Sequence, residues 1–178
     1  MHKKHDSNMR LDIPQENMQK FREVLLYVLD KVGAKPNIGQ TVIYKLLYFI
    51  DFDFYELYEE QLIGARYIKN TYGPTPVQFA KVIKEMRKRN ELEEIRTKHF
   101  SHDQIKYIPI RGADLDILTA KEIKHIDNVL RKHSDKTAAE LSNFSHQDVP
   151  WITAKNKGTI PYEAVFYRTP VTSVRNYQ

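Results

Sequence analysis

Residues 41–58 read TVIYKLLYFIDFDFYELY and decide the fold of this chain. Apolar residues recur there every three or four positions, which predicts a helix that begins between Asn37 and Thr41 and ends near Glu60. Apolar and tyrosine side chains together leave it little polar circumference. A helix of this kind normally lies at the centre of a domain with neighbours on several sides, so we expect the other elements to pack around it.

The central helix carries two sets of large side chains at the helical period. The core-facing set is Ile43, Leu46 or Leu47, Ile50, Phe54 and Leu57. The second set is shifted by one residue, which is about 100° around the axis. It consists of Tyr44, Tyr48, Asp51, Tyr55 and Tyr58. We expect this second set to form one edge of the helix.

An amphipathic helix is predicted before the central one. Pro14 lies at the position of its first residue, and Gly33 and Pro36 end it, since glycine suits a left-handed cap and proline cannot continue the helix. Its apolar stripe is Met18, Phe21, Leu25, Val28, Leu29 and Val32. After an extended segment at residues 65–70, Thr75 and Pro76 are expected to cap and open a shorter helix that ends near Asn90. Its predicted core positions are Val77, Ala80 or Lys81, Val82 or Ile83, and Met86.

Two capping boxes predict two further helices. Thr119 with Glu122 opens a helix that runs to about His133, and Thr137 with Glu140 opens a short one. We expect Ser145 or Asp148 to cap the following turn, which contains Pro150 and Trp151. Residues 160–166 are apolar enough to pack back on the core.

Between residues 91 and 111 the apolar period changes to two, which predicts a hairpin with the polar loop Ser101-His102-Asp103-Gln104. Pro109 places its strand at an edge. The predicted fold class is therefore mainly α, a compact helical domain of about five to six helices with one small antiparallel β-hairpin. We expect a flexible N-terminal segment at residues 1–13, the domain at 14–170 and a C-terminal tail at 171–178.

Composition narrows the class of protein. The chain has 178 residues, a formal net charge of +5 and no cysteine, which excludes disulfides, thiolate zinc sites and a cysteine nucleophile. Its longest apolar run falls short of the roughly 20 residues that a membrane span needs. We expect a cytoplasmic protein with no membrane partner. Charge is polarised along the chain, with an acidic stretch at residues 51–60 and a basic one at 81–89.

Catalytic patterns are weak. His99, His102 and Asp103 could ligate a metal, but a solvated turn explains these three residues better. A metal-dependent hydrolase at His99, His102 and His146 is a further alternative. Ser145, His146 and Asp148 are triad residue types, yet neighbours in sequence point in different directions on a helix. Asp51 and Asp53 diverge for the same reason, and no glycine-rich phosphate loop is present. We expect no catalysis, no metal and no cofactor.

Two surfaces could bind a macromolecule. The basic helix followed by a hairpin has the element order of a winged helix, in which Lys81, Lys84 and Lys88 would face nucleic acid. Residues that read base edges do not accompany them, so nucleic acid is the less favoured partner. The eleven tyrosines are either half-buried core edges or anchors of a protein-binding surface.

The order of short motifs resembles the SocA-like antitoxin domain, also called the Panacea domain. The motifs are Lys45-Leu46-Leu47-Tyr48-Phe49-x-Asp51, Gly64-x-Arg66-Tyr67, Gly73-Pro74-x-Pro76, Leu141-Ser142-x-x-Ser145-His146, Trp151 and Ile160-x-Tyr162. The resemblance covers roughly residues 18–166.

The resemblance implies a non-enzymatic, phage-associated antitoxin that neutralises a toxin encoded by the adjacent gene through direct protein–protein binding. Some relatives are adaptors that deliver the toxin to a protease, so a protease is an alternative partner. Members often carry a helix-turn-helix domain ahead of this one. About 17 residues precede the first predicted helix here, so we expect no such domain.

We expect the tyrosine edge to lie at or just beneath the toxin-binding surface, because tight interfaces use buried aromatic anchors and complementary charge. The candidate residues are Tyr44, Tyr48, Asp51, Tyr55, Arg66, Tyr67 and Tyr72. Two alternatives stay open: Lys45 and Asp51 could form an internal pair, and Trp151 could serve packing.

Overall fold

The computed structural model of the chain describes residues 16–176 and confirms the mainly helical class. Within that range it contains six α-helices, two short 3-10 helices and two separate two-stranded antiparallel sheets. The α-helices are α1 (Met18–Val32), α2 (Gln40–Tyr58), α3 (Phe79–Lys88), α4 (Ala120–His133), α5 (Ala138–Ser145) and α6 (Val149–Thr153). The strands are β1 (Tyr67–Asn70), β2 (Gly73–Pro76), β3 (Leu92–His99) and β4 (His102–Pro109). The 3-10 helices are Leu115–Ile117 and Tyr162–Tyr167.

Helix α2 is the centre of the domain, as its sequence predicts. It packs against α4, α5, β2, β4 and the second 3-10 helix. Its side chains from Val42 to Glu56 are buried with the exception of the half-buried Tyr44. No helix within residues 16–176 is both long enough and apolar enough to cross a membrane.

Helix α1 begins later than expected. Asn17 caps it, since its side-chain oxygen accepts a hydrogen bond from the Lys20 amide at 3.0 Å. The predicted start at Pro14 and the flexible segment 1–13 lie outside the described residues. The apolar stripe is buried as predicted from Phe21 to Val32, while Met18 is half-buried. Gly33 has right-handed backbone angles (φ −59°) and is not the left-handed cap we expected.

The prediction that residues 73–76 form a turn, in which Thr75 caps a helix and Pro76 opens it, is wrong. Gly73–Pro76 forms β2, which pairs antiparallel with β1, so that Tyr67 lies opposite Pro76. Proline's fixed φ suits an extended strand as well as a first helical turn, and a two-stranded sheet leaves edges where its missing N–H costs little. This second hairpin was not predicted.

Helix α3 consequently begins at Phe79, without a side-chain cap. Its core positions are Phe79, Val82, Ile83 and Met86. The predicted core residue Val77 is exposed and precedes the helix. Ala80 and Lys81, of which one was predicted to face the core, are both exposed because the buried face runs through Phe79, Val82, Ile83 and Met86. Phe79 takes their place against α1 and Tyr44.

The β3–β4 hairpin has a tighter turn than predicted. Phe100 and Ser101 form a two-residue turn, and both have positive φ (47° and 67°). Turns of this type twist in the same sense as the strands they join. His102, Asp103 and Gln104 therefore belong to β4, His99 pairs with His102, and the Phe100 side chain is 85% exposed at the tip.

Both predicted capping boxes are confirmed. The Thr119 hydroxyl accepts from the Glu122 amide at 3.1 Å, and Glu122 accepts from the Thr119 amide at 2.9 Å. Thr137 and Glu140 repeat the arrangement at 3.1 and 3.0 Å. The segment 160–166 packs on the core as predicted, through Ile160, Tyr162 and Val165.

Candidate partner-binding surface

Most of the predicted tyrosine edge lies inside the domain. Tyr48 and Tyr67 are fully buried and Tyr55 nearly so, while Tyr44 is half-buried. The Tyr67 hydroxyl donates to Asp51 Oδ2 at 2.8 Å. These rings therefore lie beneath the surface of the folded chain. Whether any of them contacts a partner stays a prediction.

Asp51 fastens the segment that follows α2. Its carboxylate accepts from the backbone amides of Ile63 at 2.7 Å and Gly64 at 3.1 Å, as well as from Tyr67. Burial raises the pKa of Asp51 to about 6, although these hydrogen bonds favour the charged form. The alternative of an internal pair with Lys45 is wrong, because Asp51 satisfies its oxygens with backbone amides and a phenol.

A buried charge network, which we call the Arg168 cluster, includes two of the five acids of the acidic stretch, Asp53 and Glu56. The Arg168 guanidinium donates to Asp53 at 2.7 Å, to Glu56 at 2.8 Å, and to both oxygens of Asp148 at 2.8 and 2.9 Å. The Tyr48 hydroxyl donates to Asp148 Oδ2 at 2.6 Å. Burial raises the pKa of Asp53 to about 6, and the charge of Arg168 opposes that rise.

The Arg168 cluster corrects one expectation and extends another. Asp148 precedes α6 but makes no side-chain cap, because both its oxygens face Arg168 and Tyr48. Ser145 does not cap α6 either, since its hydroxyl donates to the Ser142 carbonyl at 2.8 Å. Part of the predicted C-terminal tail is attached to α2, because Ser173 and Val174 donate to Glu56.

Two residues of the predicted set are exposed, Arg66 and Tyr72. Tyr72 lies in the turn between β1 and β2 and exposes 75% of its surface. Ser142 of α5 holds this turn by donating to the Tyr72 carbonyl at 2.8 Å. Arg66 lies at the other end of β1, where its side chain donates to the Thr159 hydroxyl at 3.0 Å.

The β1–β2 turn, the end of α5 and α6 form one surface. Lys69 Nζ lies 4.3 Å from the centroid of the Trp151 ring and donates to the Ile152 carbonyl at 3.1 Å. The His146 ring stacks on Trp151 with 4.1 Å between centroids. The Ile152 side chain is exposed. We call Lys69, Tyr72, His146, Trp151 and Ile152 the turn surface.

Lys45 lies next to Gly73, the residue that follows Tyr72 of the turn surface. It is 1% exposed and forms no ion pair within residues 16–176. Burial lowers the pKa of its amine to about 8. Gly73 has φ +121°, and a Cβ there would lie 2.9 Å from Lys45 Cε and 2.7 Å from Ser145 Oγ, so glycine is required for β2 to approach.

The basic face of α3 has the exposure that the nucleic-acid alternative needs. Lys81, Lys84 and Lys88 are all exposed. A groove of about 510 Å³ between α3 and the β3–β4 hairpin contains Lys84 and Lys88, but Glu93 and Glu94 also line it. The groove is therefore of mixed charge.

The histidine candidates do not converge. His99 and His102 line a groove of about 830 Å³ between the hairpin and the start of α5, together with Phe100. His146 belongs to the turn surface. Within residues 16–176 no three His, Asp or Glu side chains are grouped so that they could hold a metal ion. Ser145, His146 and Asp148 contact different partners, and they do not form a hydrogen-bonded triad.

Sequence reasoning missed two features of this region. Arg168 had no local signal, since it follows an apolar segment and meets its partners only in the fold. His146 and Trp151 were named, but nothing in the sequence showed that their rings stack beside Lys69.

A family model described as antitoxin SocA-like, Panacea domain, matches residues 43–152, which is more than half of the chain. No curated protein and no solved structure matches the chain significantly. The matched range contains Lys45 and the whole turn surface, whereas Arg168 lies outside it.

Proposed function

Because the chain belongs to the antitoxin SocA-like, Panacea domain family, we propose that it neutralises a cognate toxin, encoded by the adjacent gene, by direct protein–protein binding. The family match over residues 43–152 is the observation that carries this proposal. The antitoxin acts without catalysis or cofactor, by covering a surface that the toxin needs. The absence of cysteine suits a reducing compartment such as the cytoplasm.

The turn surface is the best-supported place for the toxin to bind. It combines an exposed tyrosine, an exposed isoleucine and a lysine over a tryptophan ring. Aromatic anchors of this kind dominate binding energy in protein interfaces, because they bury a large area at a low cost in side-chain entropy. Tyr72 is the proposed anchor, and it is one of the residues that the sequence analysis named.

Substitution of Tyr72 tests the surface. In co-expression with the adjacent gene, the wild-type chain is expected to restore growth and to co-purify with the toxin. Tyr72→Ala should weaken toxin binding about 30-fold, the loss typical of an interface hot spot. Its thermal unfolding should be unchanged, because the side chain is exposed. Calorimetric titration of the purified pair measures the affinity.

Phe100→Ala is the matched control. Phe100 is also an exposed aromatic residue in a two-residue turn, but it lines the groove between the β3–β4 hairpin and the start of α5 and is not part of the turn surface. We expect it to bind the toxin like the wild type. Loss of toxin binding in Phe100→Ala, with no loss in Tyr72→Ala, would place the interface at the groove between the β3–β4 hairpin and the start of α5. Failure of the wild-type chain to bind or neutralise the neighbouring gene product would contradict the proposed function itself.

Delivery of the toxin to a protease is distinguished in the same cells. Direct inhibition leaves the amount of toxin unchanged while growth recovers. An adaptor would lower the amount of toxin, and the loss would depend on a host protease. Immunoblotting of the toxin over time, in host strains with and without each cytoplasmic protease, measures this difference.

The exposed lysines of α3 favour nucleic acid as a second candidate partner. If they bind DNA, affinity should fall steeply with added salt, because phosphate contacts release counterions. Lys84→Glu with Lys88→Glu should abolish such binding and leave toxin neutralisation intact. Absence of DNA binding by the wild-type chain at low salt would remove this candidate.

A further inference from the structure

Lys45 is a buried cation without a counter-charge, and this needs a physical reason. Its side chain is 1% exposed and makes no ion pair within the described part of the chain. Burying an unpaired ammonium group is costly, and proteins normally pair such groups or leave them out of the core. A methionine would fill the same volume without that cost. The amine is therefore expected to have a partner from outside the folded chain.

Within residues 16–176, two buried ring nitrogens of the turn surface lack a hydrogen-bond partner. The His146 Nε2 and Trp151 Nε1 atoms are buried, and within residues 16–176 neither makes a hydrogen bond. The two rings are stacked, which places these nitrogens on neighbouring planes. Lys45 lies against Gly73, which also approaches Ser145, the residue before His146. The charge of Lys45 contributes, after burial, to lowering the pKa of His146. Buried polar atoms are rarely left unsatisfied, and orphans grouped together point to a missing ligand.

We propose that Lys45, His146 and Trp151 form a carboxylate-binding site, and that an acidic side chain of the toxin occupies it in the complex. This inference rests on the proposed function and adds the chemistry of recognition to it. The exposed residues of the turn surface supply contact area, while the three nitrogens beneath select an anion. A carboxylate has two oxygens, which can accept from the ammonium and from the indole N–H at once. Its charge also favours the protonated imidazole, which supplies a third donor.

A carboxylate fits the site better than a phosphate does. Lys69 is the nearest further cation, and it is engaged with the Trp151 ring and the Ile152 carbonyl. The indole can donate a single hydrogen bond and the site offers no bidentate arginine, the side chain best suited to phosphate.

The single tryptophan of the chain gives a direct readout. Its indole N–H produces one signal in the ¹H–¹⁵N spectrum of the labelled protein, and that signal belongs to Trp151. Addition of acetate at constant ionic strength is expected to move it in a saturable manner, with a dissociation constant in the millimolar range. Methyl phosphate should move it less at the same concentration. No saturable shift, or an equal shift in Lys45→Met, would overturn the site.

Toxin binding is measured with the same variant, Lys45→Met. Lys45→Met should weaken toxin binding about 30-fold or more, as loss of one partner of a buried charge pair does. Lys81→Met is the matched control, because it removes one positive charge from an exposed position on α3. One Asp→Asn or Glu→Gln change in the toxin should weaken binding to the wild-type chain and have no further effect on Lys45→Met.

These outcomes separate the inference from the proposed function. If the toxin binds Lys45→Met as tightly as the wild type, the carboxylate site is wrong and the antitoxin function stands. If the wild-type chain responds to acetate but binds no toxin, the proposed function is wrong and the assignment to a toxin side chain falls with it. A larger response to methyl phosphate than to acetate would reject the carboxylate as the ligand.

Discussion

The Arg168 cluster and the Lys45 site both bury positive charge beside α2, but they satisfy it in opposite ways. Arg168 meets three carboxylates and a network that includes the Tyr48 hydroxyl, so every nitrogen of its guanidinium has an acceptor. Lys45 lies beside Gly73 and forms no ion pair within residues 16–176. The first arrangement holds the domain together, and the second leaves an unsatisfied group just beneath an exposed tyrosine. Equal burial thus marks two different roles.

Arg168→Met tests the first region and should have the largest effect. It leaves the carboxylates of Asp53, Glu56 and Asp148 buried without their cation, which is expected to cost about 3–5 kcal/mol of unfolding free energy. Urea denaturation followed by circular dichroism measures it. Arg66→Met, at an exposed arginine, should change stability by less than about 0.5 kcal/mol. Similar stabilities of the two variants would show that the cluster is not structural.

Lys45→Met tests the second region and should change stability in the opposite direction. Removal of an unpaired buried charge is expected to stabilise the free protein by about 1–3 kcal/mol at pH 7. The folded-state pKa of Lys45 is about 8, whereas that of the unfolded chain is about 10.4. Between these two pH values the unfolded wild-type chain binds more protons at this position than the folded chain does. The unfolding free energy of the wild type should therefore rise with pH and approach that of Lys45→Met.

Denaturation of both chains between pH 7 and 10.5 measures this convergence, because the remaining titrating groups are common to both and cancel in the difference. A difference that does not vary with pH would contradict the lowered pKa. Destabilisation of Lys45→Met at every pH would mean that the amine has an internal partner, and the contrast between the two regions would disappear.

Tyr48→Phe sharpens the comparison with the smallest effect. It removes the hydrogen bond to Asp148 and keeps the ring, so we expect a loss of about 1–2 kcal/mol. Tyr72→Phe, which removes a hydroxyl from an exposed ring, should leave stability unchanged. Thermal unfolding of the two variants side by side distinguishes them. A neutral Tyr48→Phe would place the strength of the cluster in Arg168 alone.

Local sequence patterns predicted the helices, but they did not predict which charged side chains pair in the fold. The capping boxes at Thr119 and Thr137 and the apolar girth of α2 are local signals, and all three are confirmed. The acidic stretch after residue 50 reads locally like a solvated helix end. Its role depends on Arg168, more than 110 positions away from Asp53 and Glu56, and no periodicity carries that information.

Only part of the candidate site was predicted, because local sequence patterns do not show which side chains meet in the fold. Tyr72 was named and is exposed, but Tyr48 and Tyr67 share its residue type and are buried, because composition does not tell which tyrosine faces water. The strand at Gly73–Pro76 was missed since proline fits two backbone states. Without that strand the approach of Gly73 to Lys45, and with it the position of the turn surface, could not be foreseen.

The long separation between Arg168 and its partners also bears on how the protein is made. During translation of residues 57–167, Asp53 and Glu56 of α2 have already been synthesised but Arg168, which pairs with them, has not. Contacts of such high sequence separation form slowly, because a long loop must close first. Completion of the core is thus postponed until translation has passed residue 168, and an interrupted polypeptide retains a core with uncompensated negative charge.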